Sequence, residues 1–346
     1  MASITLDNGR VLGDYAEPYV VAELNTSHFG DLALARSMID KAREVGCDCV
    51  KFQSWSAQTL YAQSYYRQRG NAITRRFVDK LSLDDGQLQA LADHCHEVGI
   101  DFASTPYSVR EARFLVERCR VPFIKIASME LDNLPYLEQL GRLGAPLVLS
   151  TGMGTLQEIV RAVRTIEATG HRRLAILHCI SSYPVPAENT RLHNILGLRS
   201  EFPQYPIGYS DHSLGSEVPV AAVALGACLI EKHFTLDATR IGMDNQMATE
   251  PAAMREMVEQ CRRVHKAMGG SGRLLDAAER EMIPRMRRSL ITTRALPAGH
   301  VLGEQDLDAK RPGTGIPPCD LGRVVGRRLR VALDAEDLIQ PGHLED

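Results

Sequence analysis

Short apolar segments of strand length alternate with longer segments of helical periodicity between residues 19 and 268. The short segments are rich in Val, Ile, Leu and Phe, which is typical of parallel strands buried on both faces. Eight such segments occur: YVVAEL (19–24), CDCVKFQ (47–53), DFASTP (101–106), FIKIAS (123–128), PLVLST (146–151), LAILHCIS (174–181), PIGYSD (206–211) and LIEKHF (229–234). With crossovers between them and a final helix over 251–268, they predict an α/β fold, a (β/α)8 TIM barrel.

An open doubly wound sheet is the competing architecture. It would carry a G-x-G-x-x-G phosphate loop, but Gly152-Met153-Gly154 is followed by Gln157 at the third glycine position. The barrel is therefore favoured.

The composition and the pattern of the sequence change after Met268. A barrel takes about 250 residues, and GGSGR (269–273) reads as a glycine-rich linker. Beyond it, many Gly and Pro residues surround short strand-like runs, LITTR and VVGRRLRVAL. We predict a catalytic barrel over 1–268, a linker over 269–286 and a small, mostly β domain over 287–346.

Charge and composition exclude several classes of protein. Forty Lys and Arg residues against 43 Asp and Glu residues give a net charge of −3, so we expect no nucleic-acid partner. The N-terminal MASITLDNGR has no apolar signal region, and the longest apolar stretch, 218–230, is too short to span a membrane. The eight cysteines lack any Cys-x-x-Cys pair and read as core residues in a reducing compartment. We expect a cytoplasmic protein.

Polar side chains follow every predicted strand, at the end where barrel enzymes place their active sites. They are Glu23, Lys51, Gln53, Ser104, Thr105, Lys125, Ser128, Ser150, Thr151, Ser181, Tyr183, Ser210, Asp211, His212, Lys232 and His233. Cationic and hydroxyl groups suit phosphate and carboxylate oxygens, which need charge-assisted hydrogen bonds once they leave water. His212 and His233 end neighbouring strands, and the residues alone leave open whether they bind a metal or are ordinary histidines.

Several motifs along the chain resemble those of the sialic acid synthases, which condense phosphoenolpyruvate with an aldose to make nonulosonic acids. The matching segments are AEL (22–24), VKFQ (50–53), STPYS (104–108), IKIASMEL (124–131), LSTGM (149–153), ILHCISSYP (176–184), GYSDHS (208–213), IEKHFTLD (230–237), MRRSL (286–290) and KRPGTGI (310–316). The resemblance covers essentially the whole chain, and the C-terminal part resembles the antifreeze-like SAF domain, a β-clip fold.

The resemblance implies a role for each matching residue. His212 and His233 would bind a divalent metal, Mn²⁺ first, with Mg²⁺ or Co²⁺ as alternatives. The groups implied to bind phosphoenolpyruvate are Lys51, Thr105, Lys125, Ser128, Ser150, Tyr183 and Ser210, with Ser181 beside them. Glu23, Gln53, Glu130 and Asp244 would contact the sugar or move protons. The catalytic candidates are Glu23 and Asp244 from this set and Lys125 from the groups that bind phosphoenolpyruvate. Arg311 would reach the sugar from the partner subunit of a homodimer.

Two segments depart from the family pattern. Many members read E-x-G-x-N-H-N-G after the first strand, whereas here Glu23 is followed by LNTSHFG (24–30). The usual GPDH-like segment is replaced by IGMDNQMA (241–248), which keeps Asp244 but has Asn245 where the motif has His. Both segments fall where the acceptor sugar is expected.

We therefore predict a metal-dependent synthase that joins phosphoenolpyruvate to an N-acylated hexose, by default N-acetylmannosamine, to give N-acetylneuraminate. Products of the legionaminate or pseudaminate type are the nearest alternatives. A pyruvate aldolase with a Schiff base on Lys125 or Lys232 is a second hypothesis. A sugar-binding protein that has lost the chemistry is a third.

Overall fold

The computed structural model describes residues 1–68, 71–270 and 272–345. The chain divides into two compact units, Met1–Gly269 and Gly270–Asp346. The first unit contains the predicted barrel. The second contains the predicted C-terminal domain together with most of the predicted linker.

In the described residues, eight parallel strands close into a barrel, which confirms the predicted fold. A two-stranded antiparallel hairpin precedes it, β1 (Ser3–Thr5) and β2 (Val11–Gly13). The barrel strands are β3 (Tyr19–Glu23), β4 (Cys49–Ser54), β5 (Asp101–Pro106), β6 (Ile124–Ile126), β7 (Leu147–Ser150), β8 (Leu174–Cys179), β9 (Ile207–Asp211) and β10 (Leu229–His233). Closure occurs where β10 pairs with β3, with His233 opposite Glu23.

Helices follow the strands and pack around the barrel. In the first unit they are α1 (Leu32–Glu44), α2 (Gln63–Arg67), α3 (Ala72–Leu81), α4 (Asp85–Val98), α5 (Val109–Phe114), which continues as a π-helix over Leu115–Cys119, α6 (Leu134–Leu143), α7 (Leu156–Ala168), α8 (Asn194–Glu201), α9 (Glu217–Ala224) and α10 (Pro251–Met268). The last of these matches the predicted 251–268 helix. Across the described parts of the chain, no helix combines the length and the apolar character needed to cross a membrane.

The strands have two different faces because successive side chains of a strand point in opposite directions. On β3, Val20 and Ala22 join the large core between strands and helices. Tyr19 and Val21 belong instead to the core inside the barrel. This alternation decides which polar residues can reach the barrel interior.

Local signals set the helix boundaries. Asp84 caps α4 by accepting the backbone N–H of Gln87, whose side chain in turn accepts the N–H of Asp84, a complete capping box. The same helix ends at Gly99, whose φ of 76° lies in the left-handed region that favours glycine.

The second unit is small and mostly β, as predicted. It begins with α11 (Ala277–Met286), which lies within the residues predicted as a linker. The strands β11 (Ser289–Thr292) and β12 (Leu307–Lys310) pair antiparallel, and the short helix α12 (Leu321–Val324) follows. The predicted run over 324–333 forms isolated β-bridges. The core of the second unit is built from buried aliphatic side chains such as Leu290, Leu329 and Ile339.

Candidate active site

A cavity of about 290 Å³ opens at the carboxyl end of the barrel strands. Thirteen of the predicted site residues line it: Glu23, Lys51, Gln53, Thr105, Lys125, Ser128, Ser150, Ser181, Tyr183, Ser210, His212, His233 and Asp244. They come from all eight strands or from the segments that follow them. The structure therefore gathers residues separated by up to 221 positions (244 − 23) around one space.

The alternation of strand faces explains which polar groups enter the cavity. On β4, Lys51 and Gln53 follow Cys49 on the interior face. On β10, Glu231 and His233 follow Leu229 in the same way. Both strands thus place an apolar side chain deep in the barrel and polar ones above it.

A buried ionic cluster forms the floor of the cavity. Lys51 forms an ion pair with Glu23 and lies 3.8 Å, Nζ to Oε2, from Glu231. Lys125 Nζ is 3.6 Å from Oε1 of the same Glu231 carboxylate. The hydroxyl of Ser210 donates to Glu231 Oε1 at 2.8 Å. Glu231 therefore holds both lysines in place.

Burial and neighbouring charges set different protonation tendencies within the cluster. Burial alone would raise the pKa of Glu231, but Lys125 and Lys51 outweigh it and hold that pKa well below its usual range. Burial raises the pKa of Glu23 above its usual range, although Lys51 opposes this. Burial also lowers the pKa of Lys125. Glu231 is thus a fixed negative charge, whereas Glu23 is the carboxyl better suited to carry a proton.

Two histidine rings face each other above the cluster. The ring centroids of His212 and His233 are 5.4 Å apart, and the ring of Tyr183 lies 4.1 Å from that of His212. The Nδ1 of His212 is 2.8 Å from the carbonyl oxygen of Ile180. A carbonyl can only accept, so Nδ1 carries the proton, and in the neutral ring Nε2 keeps the lone pair that a metal would need. Burial alone would lower the pKa of His212, but the contacts with Cys179 and the Ile180 carbonyl outweigh it and raise that pKa.

This pair fits a divalent metal. Burial lowers the pKa of His233 far below its usual value, so that its imidazole is neutral as a metal ligand must be. The Ile180 carbonyl orients the His212 ring in the way that outer hydrogen bonds orient metal-bound histidines. Within residues 1–68, 71–270 and 272–345, no cluster of three or more His, Cys, Asp or Glu side chains could hold a metal. Oxygen atoms of substrate or water would have to complete the coordination.

Hydroxyl groups line the side of the cavity next to Lys125. The buried Ser150 hydroxyl has no hydrogen-bond partner among the described residues, which leaves it available to a ligand oxygen. The Ser128 hydroxyl accepts the backbone N–H of Gly152 at 2.9 Å. A Cβ at Gly152 would lie 2.2 Å from the Ser181 hydroxyl and 2.9 Å from that of Ser128. A side chain at this position would therefore displace one or both hydroxyls.

A second hydrogen-bonded group lies on the opposite wall. Gln53 donates from Nε2 to Glu23 at 3.2 Å and accepts from the Tyr107 hydroxyl at 3.1 Å. Asp244 lies on the loop after β10, and burial raises the pKa of its carboxyl. This wall offers carboxylate and amide groups, which suit the hydroxyls of a sugar.

Some predicted polar residues face elsewhere. Glu130 does not line the cavity; it is half-buried and accepts from Asn133 at 2.7 Å. Lys232 is buried outside the cavity, in an ion pair with Asp211 at 2.5 Å. Ser104 bonds to Ser54 at 2.7 Å instead of facing the cavity. Arg311 lies in the second unit, exposed at the end of β12.

Sequence reasoning missed Glu231, Tyr107 and Cys179 as cavity residues. A usable signal existed for Glu231, because it stands two positions before His233 and hence on the same face of the strand. Cys179 likewise follows Leu177 on β8, but an apolar-looking residue in an apolar run gives no sign of lining a site.

The closed barrel and its polar cavity at the carboxyl ends of the strands define a (β/α)8-barrel enzyme. Residues 38–273 match the NeuB family, and residues 287–345 match the SAF domain. The chain is 35% identical over 338 residues to N,N'-diacetyllegionaminic acid synthase of Legionella pneumophila, covering 94% of each chain. It is 32% identical to human N-acetylneuraminate-9-phosphate synthase, covering 96% of this chain and 94% of the relative.

A solved structure agrees. The N-acetylneuraminic acid (sialic acid) synthetase of Leptospira borgpetersenii superposes with a TM-score of 0.74 at 33% identity, covering 81% of this chain and 95% of the other. The chain belongs to the NeuB family and carries a C-terminal SAF domain. The predictions of the sialic acid synthase family, of the barrel with its SAF domain, and of a carbon–carbon bond-forming transferase are confirmed.

Proposed function

We propose that this enzyme condenses phosphoenolpyruvate with an N-acylated hexose, releasing phosphate and forming a nine-carbon sialic-type acid. The observation that carries the proposal is the pairing of two buried lysines and an unpartnered serine hydroxyl with two histidines across one small cavity. The first group suits an anionic three-carbon donor, and the second a carbonyl acceptor.

The donor would lie on the side of Lys125. Its phosphate and carboxylate oxygens need several donors on leaving water. The ammonium groups of Lys51 and Lys125 and the hydroxyls of Thr105, Ser128, Ser150, Ser181 and Tyr183 would supply them, whereas the Ser210 hydroxyl already donates its one proton to Glu231. Glu231 would remain ionised beneath these lysines and keep both ammonium groups aimed upward.

The acceptor would lie between the histidine pair and the wall that carries Gln53 and Asp244. A divalent ion held by His212 and His233, for which we propose Mn²⁺, with Mg²⁺ or Co²⁺ as alternatives, would polarise the aldehyde oxygen as a Lewis acid. Gln53 and Asp244 would orient the sugar hydroxyls, so that the aldehyde carbon lies against C3 of the donor.

The bond changes can be assigned to groups of this chain. C3 of phosphoenolpyruvate bonds to the aldehyde carbon, and the aldehyde oxygen takes up a proton to become a hydroxyl. The oxygen of a water molecule bonds to the cationic C2, and one proton of this water replaces the proton that the aldehyde oxygen took up. The C2–O bond to phosphate then breaks, its electron pair leaves with the phosphate, and the second water proton passes to the phosphate, which leaves a 2-keto acid. Glu23 is the group we assign to proton transfer, because burial keeps its pKa raised beside the reacting atoms.

We also propose a homodimer in which Arg311 of one subunit completes the acceptor site of the other. The helix α11 supports a partner, because none of its residues is buried and Met282 and Met286 are exposed. Arg311 is exposed and forms no ion pair with the described residues. If it acts in trans, mixing Arg311→Ala, which alone should raise the sugar KM, with a Lys125→Met variant restores some activity, because one of the two sites in a mixed dimer then contains both wild-type residues.

The acceptor itself is proposed as N-acetylmannosamine. The two relatives are named for a diacetylated sugar acid and for a 9-phosphate. A panel should therefore contain N-acetylmannosamine, its 6-phosphate and a diacetamido hexose.

Phosphate release from phosphoenolpyruvate tests the function. We expect release with one acceptor of the panel in the presence of Mn²⁺ and none after chelation. Binding of Mn²⁺, measured by its electron paramagnetic resonance signal, should be lost in His233→Ala. Absence of release with every acceptor and metal would refute the synthase. A covalent adduct trapped by borohydride with pyruvate would favour an aldolase on Lys125.

A further inference from the structure

The two segments that depart from the family motifs contact each other. The first segment is loop A (residues 24–30, after β3), and the second, 241–248, lies within loop B (residues 237–248, after β10). The side-chain amide of Asn25 in loop A donates from Nδ2 to Oδ2 of Asp244 in loop B, at 2.6 Å. The two residues are 219 positions apart in the chain, so only barrel closure brings them together.

Asn25 has an unusual backbone conformation. Its φ of 41° lies in the left-handed region, which glycine adopts without strain and asparagine tolerates better than most residues. The family motif has glycine at this position, two residues after the glutamate. This chain keeps the backbone shape and adds an amide, which is buried and directed at Asp244.

Loop A is held in shape from within. The buried His28 ring accepts the backbone N–H of Gly30 at Nδ1, at 3.0 Å, and packs against Phe52. Burial lowers the pKa of His28 to about 4, so this ring is neutral and can accept. The N–H of Leu24 donates to the carbonyl oxygen of Lys51 at 2.9 Å. The amide of Asn25 is therefore presented from a rigid turn.

Loop B is braced by its own departure from the motif. The buried Asn245 amide donates to the carbonyl oxygens of Asp237 and Arg240, both at 2.8 Å. Arg240 in turn places its guanidinium 3.9 Å from the ring centroid of Phe29 in loop A. The replacements at Asn25, Phe29 and Asn245 thus belong to one connected contact between the loops.

We propose that Asn25 is a positioning residue for Asp244 and that the two loops together determine which acceptor the enzyme takes. This inference rests on the proposed function. The amide bonds to Oδ2, and Oδ1 of Asp244 has no hydrogen-bond partner in the part of the chain that the structure describes. One oxygen is anchored by the protein, which leaves the other available to accept from an acceptor hydroxyl in the cavity that Asp244 lines.

Asn25→Gly tests the proposal, because glycine accepts the φ of 41° and removes the side chain that carries the amide. We expect the acceptor KM to rise about tenfold, consistent with loss of one charge-assisted hydrogen bond that orients the binding carboxylate, while the phosphoenolpyruvate KM stays within about twofold. Asn8→Gly is the matched control. Asn8 donates to Asp101 at 2.5 Å in the same kind of pair, but beside the N-terminal hairpin, and both KM values should stay unchanged.

The same substitution in an Asp244→Asn variant tests whether Asn25 acts through Asp244. In Asp244→Asn, the further change Asn25→Gly should alter the acceptor KM by less than about twofold, because the carboxylate it positions is gone. Asn25→Asp places a carboxylate against Asp244 and should raise the acceptor KM more than Asn25→Gly does.

The possible failures are distinct. Equal increases in both KM values, or an Asn25→Gly effect that persists in full in Asp244→Asn, would overturn the positioning role. A wild-type enzyme that releases no phosphate with any acceptor would instead overturn the proposed function and, with it, this inference.

Discussion

The two ends of the barrel interior are built from the same strands and hold opposite chemistry. Toward the amino ends of the strands, Tyr19, Phe123 and Leu229 pack into a closed apolar core together with side chains of the β1–β2 hairpin. Toward the carboxyl ends, the interior holds Lys51, Glu231 and the other polar groups of the cavity.

The difference shows how stability and chemistry are divided along each strand. Apolar burial stabilises by about 25 cal/mol per Å², and the N-terminal end uses nearly every interior side chain for it. Buried charges gain little or cost stability unless every partner is satisfied. At the C-terminal end Ser150 lacks a partner, which is a sign that the site is shaped for a ligand and not for its own stability.

The largest effect is expected where a charge inside the cavity is removed. Lys125→Met should lower kcat/KM about 10³-fold, because the donor loses a charge-assisted contact at the reacting end. The free energy of unfolding should change little, since Glu231 keeps Lys51 and Ser210 as partners. Steady-state phosphate release and urea unfolding measure the two quantities.

Lys232→Met is the matched control, a buried lysine outside the cavity. It leaves the Asp211 carboxylate without its cation and should destabilise the protein by about 3 kcal/mol, with kcat/KM of the folded enzyme changed less than about threefold. If Lys232→Met instead lowered kcat/KM as much as Lys125→Met does, the conclusion that only the charges lining the cavity serve catalysis would be wrong.

A comparable loss of stability without loss of chemistry is expected at the opposite end. Leu229→Ala removes a fully buried side chain from the apolar core and should cost about 3 kcal/mol of unfolding free energy by transfer and cavity formation. At a temperature where the variant is folded, its kcat/KM should stay within about twofold of wild type. A strong kinetic defect there would show that the two ends are coupled.

Two glycines sharpen the comparison with the same substitution at each end. Gly152→Ala places a Cβ 2.2 Å from the Ser181 hydroxyl and should lower kcat/KM about tenfold. Gly208→Ala places a Cβ 2.6 Å from Leu177 and 2.8 Å from the Leu229 carbonyl oxygen, and should cost about 2 kcal/mol by overpacking. Steady-state kinetics and urea unfolding should be measured for both variants. A loss of stability without a kinetic defect in Gly152→Ala, or a kinetic defect without a loss of stability in Gly208→Ala, would contradict the prediction.

The smallest effect is expected for the buried carboxylate of Asp306 in the second unit, whose contacts stabilise that unit and have no part in the cavity. Asp306 accepts from His300, from the Gly303 N–H and from Arg294, which lower its pKa from 3.8 to about 2. Its stabilisation is therefore present above about pH 4 and is lost as the pH falls toward 2.

Asp306→Asn should lower the calorimetric transition temperature of this unit in the full chain by a few degrees at pH 6, since about 1 kcal/mol of charge-assisted bonding is lost. The difference from wild type should shrink between pH 4 and pH 2. A difference that stayed constant over this range would mean that the carboxylate's charge contributes nothing.

Most of the fold could be predicted because strand-length apolar runs and helical patterns repeat with their own periods. Most candidate site residues could be predicted because barrel strands end on one face. The position of Glu231 in the cavity could have been predicted from its spacing to His233, but its ion pairs could not, because Lys51 and Lys125 come from two other strands.

The contact between Asn25 and Asp244 could not be predicted from the sequence for a similar reason. Both loops could be recognised as departures from the family motifs. That they touch depends on β10 closing onto β3, with His233 opposite Glu23.

By itself the sequence determined the barrel, a small and mostly β C-terminal domain, and the polar character of each strand end, since these follow from local periodicity and composition. The assignment of that domain as SAF came from the resemblance of its motifs to those of the family. The tertiary structure alone decided that Lys51 and Thr105 face the cavity while Lys232 and Ser104 do not. A shift of one residue turns a side chain to the other face of its strand. Barrel closure and strand register are set by contacts among all eight strands, which no single segment of sequence contains.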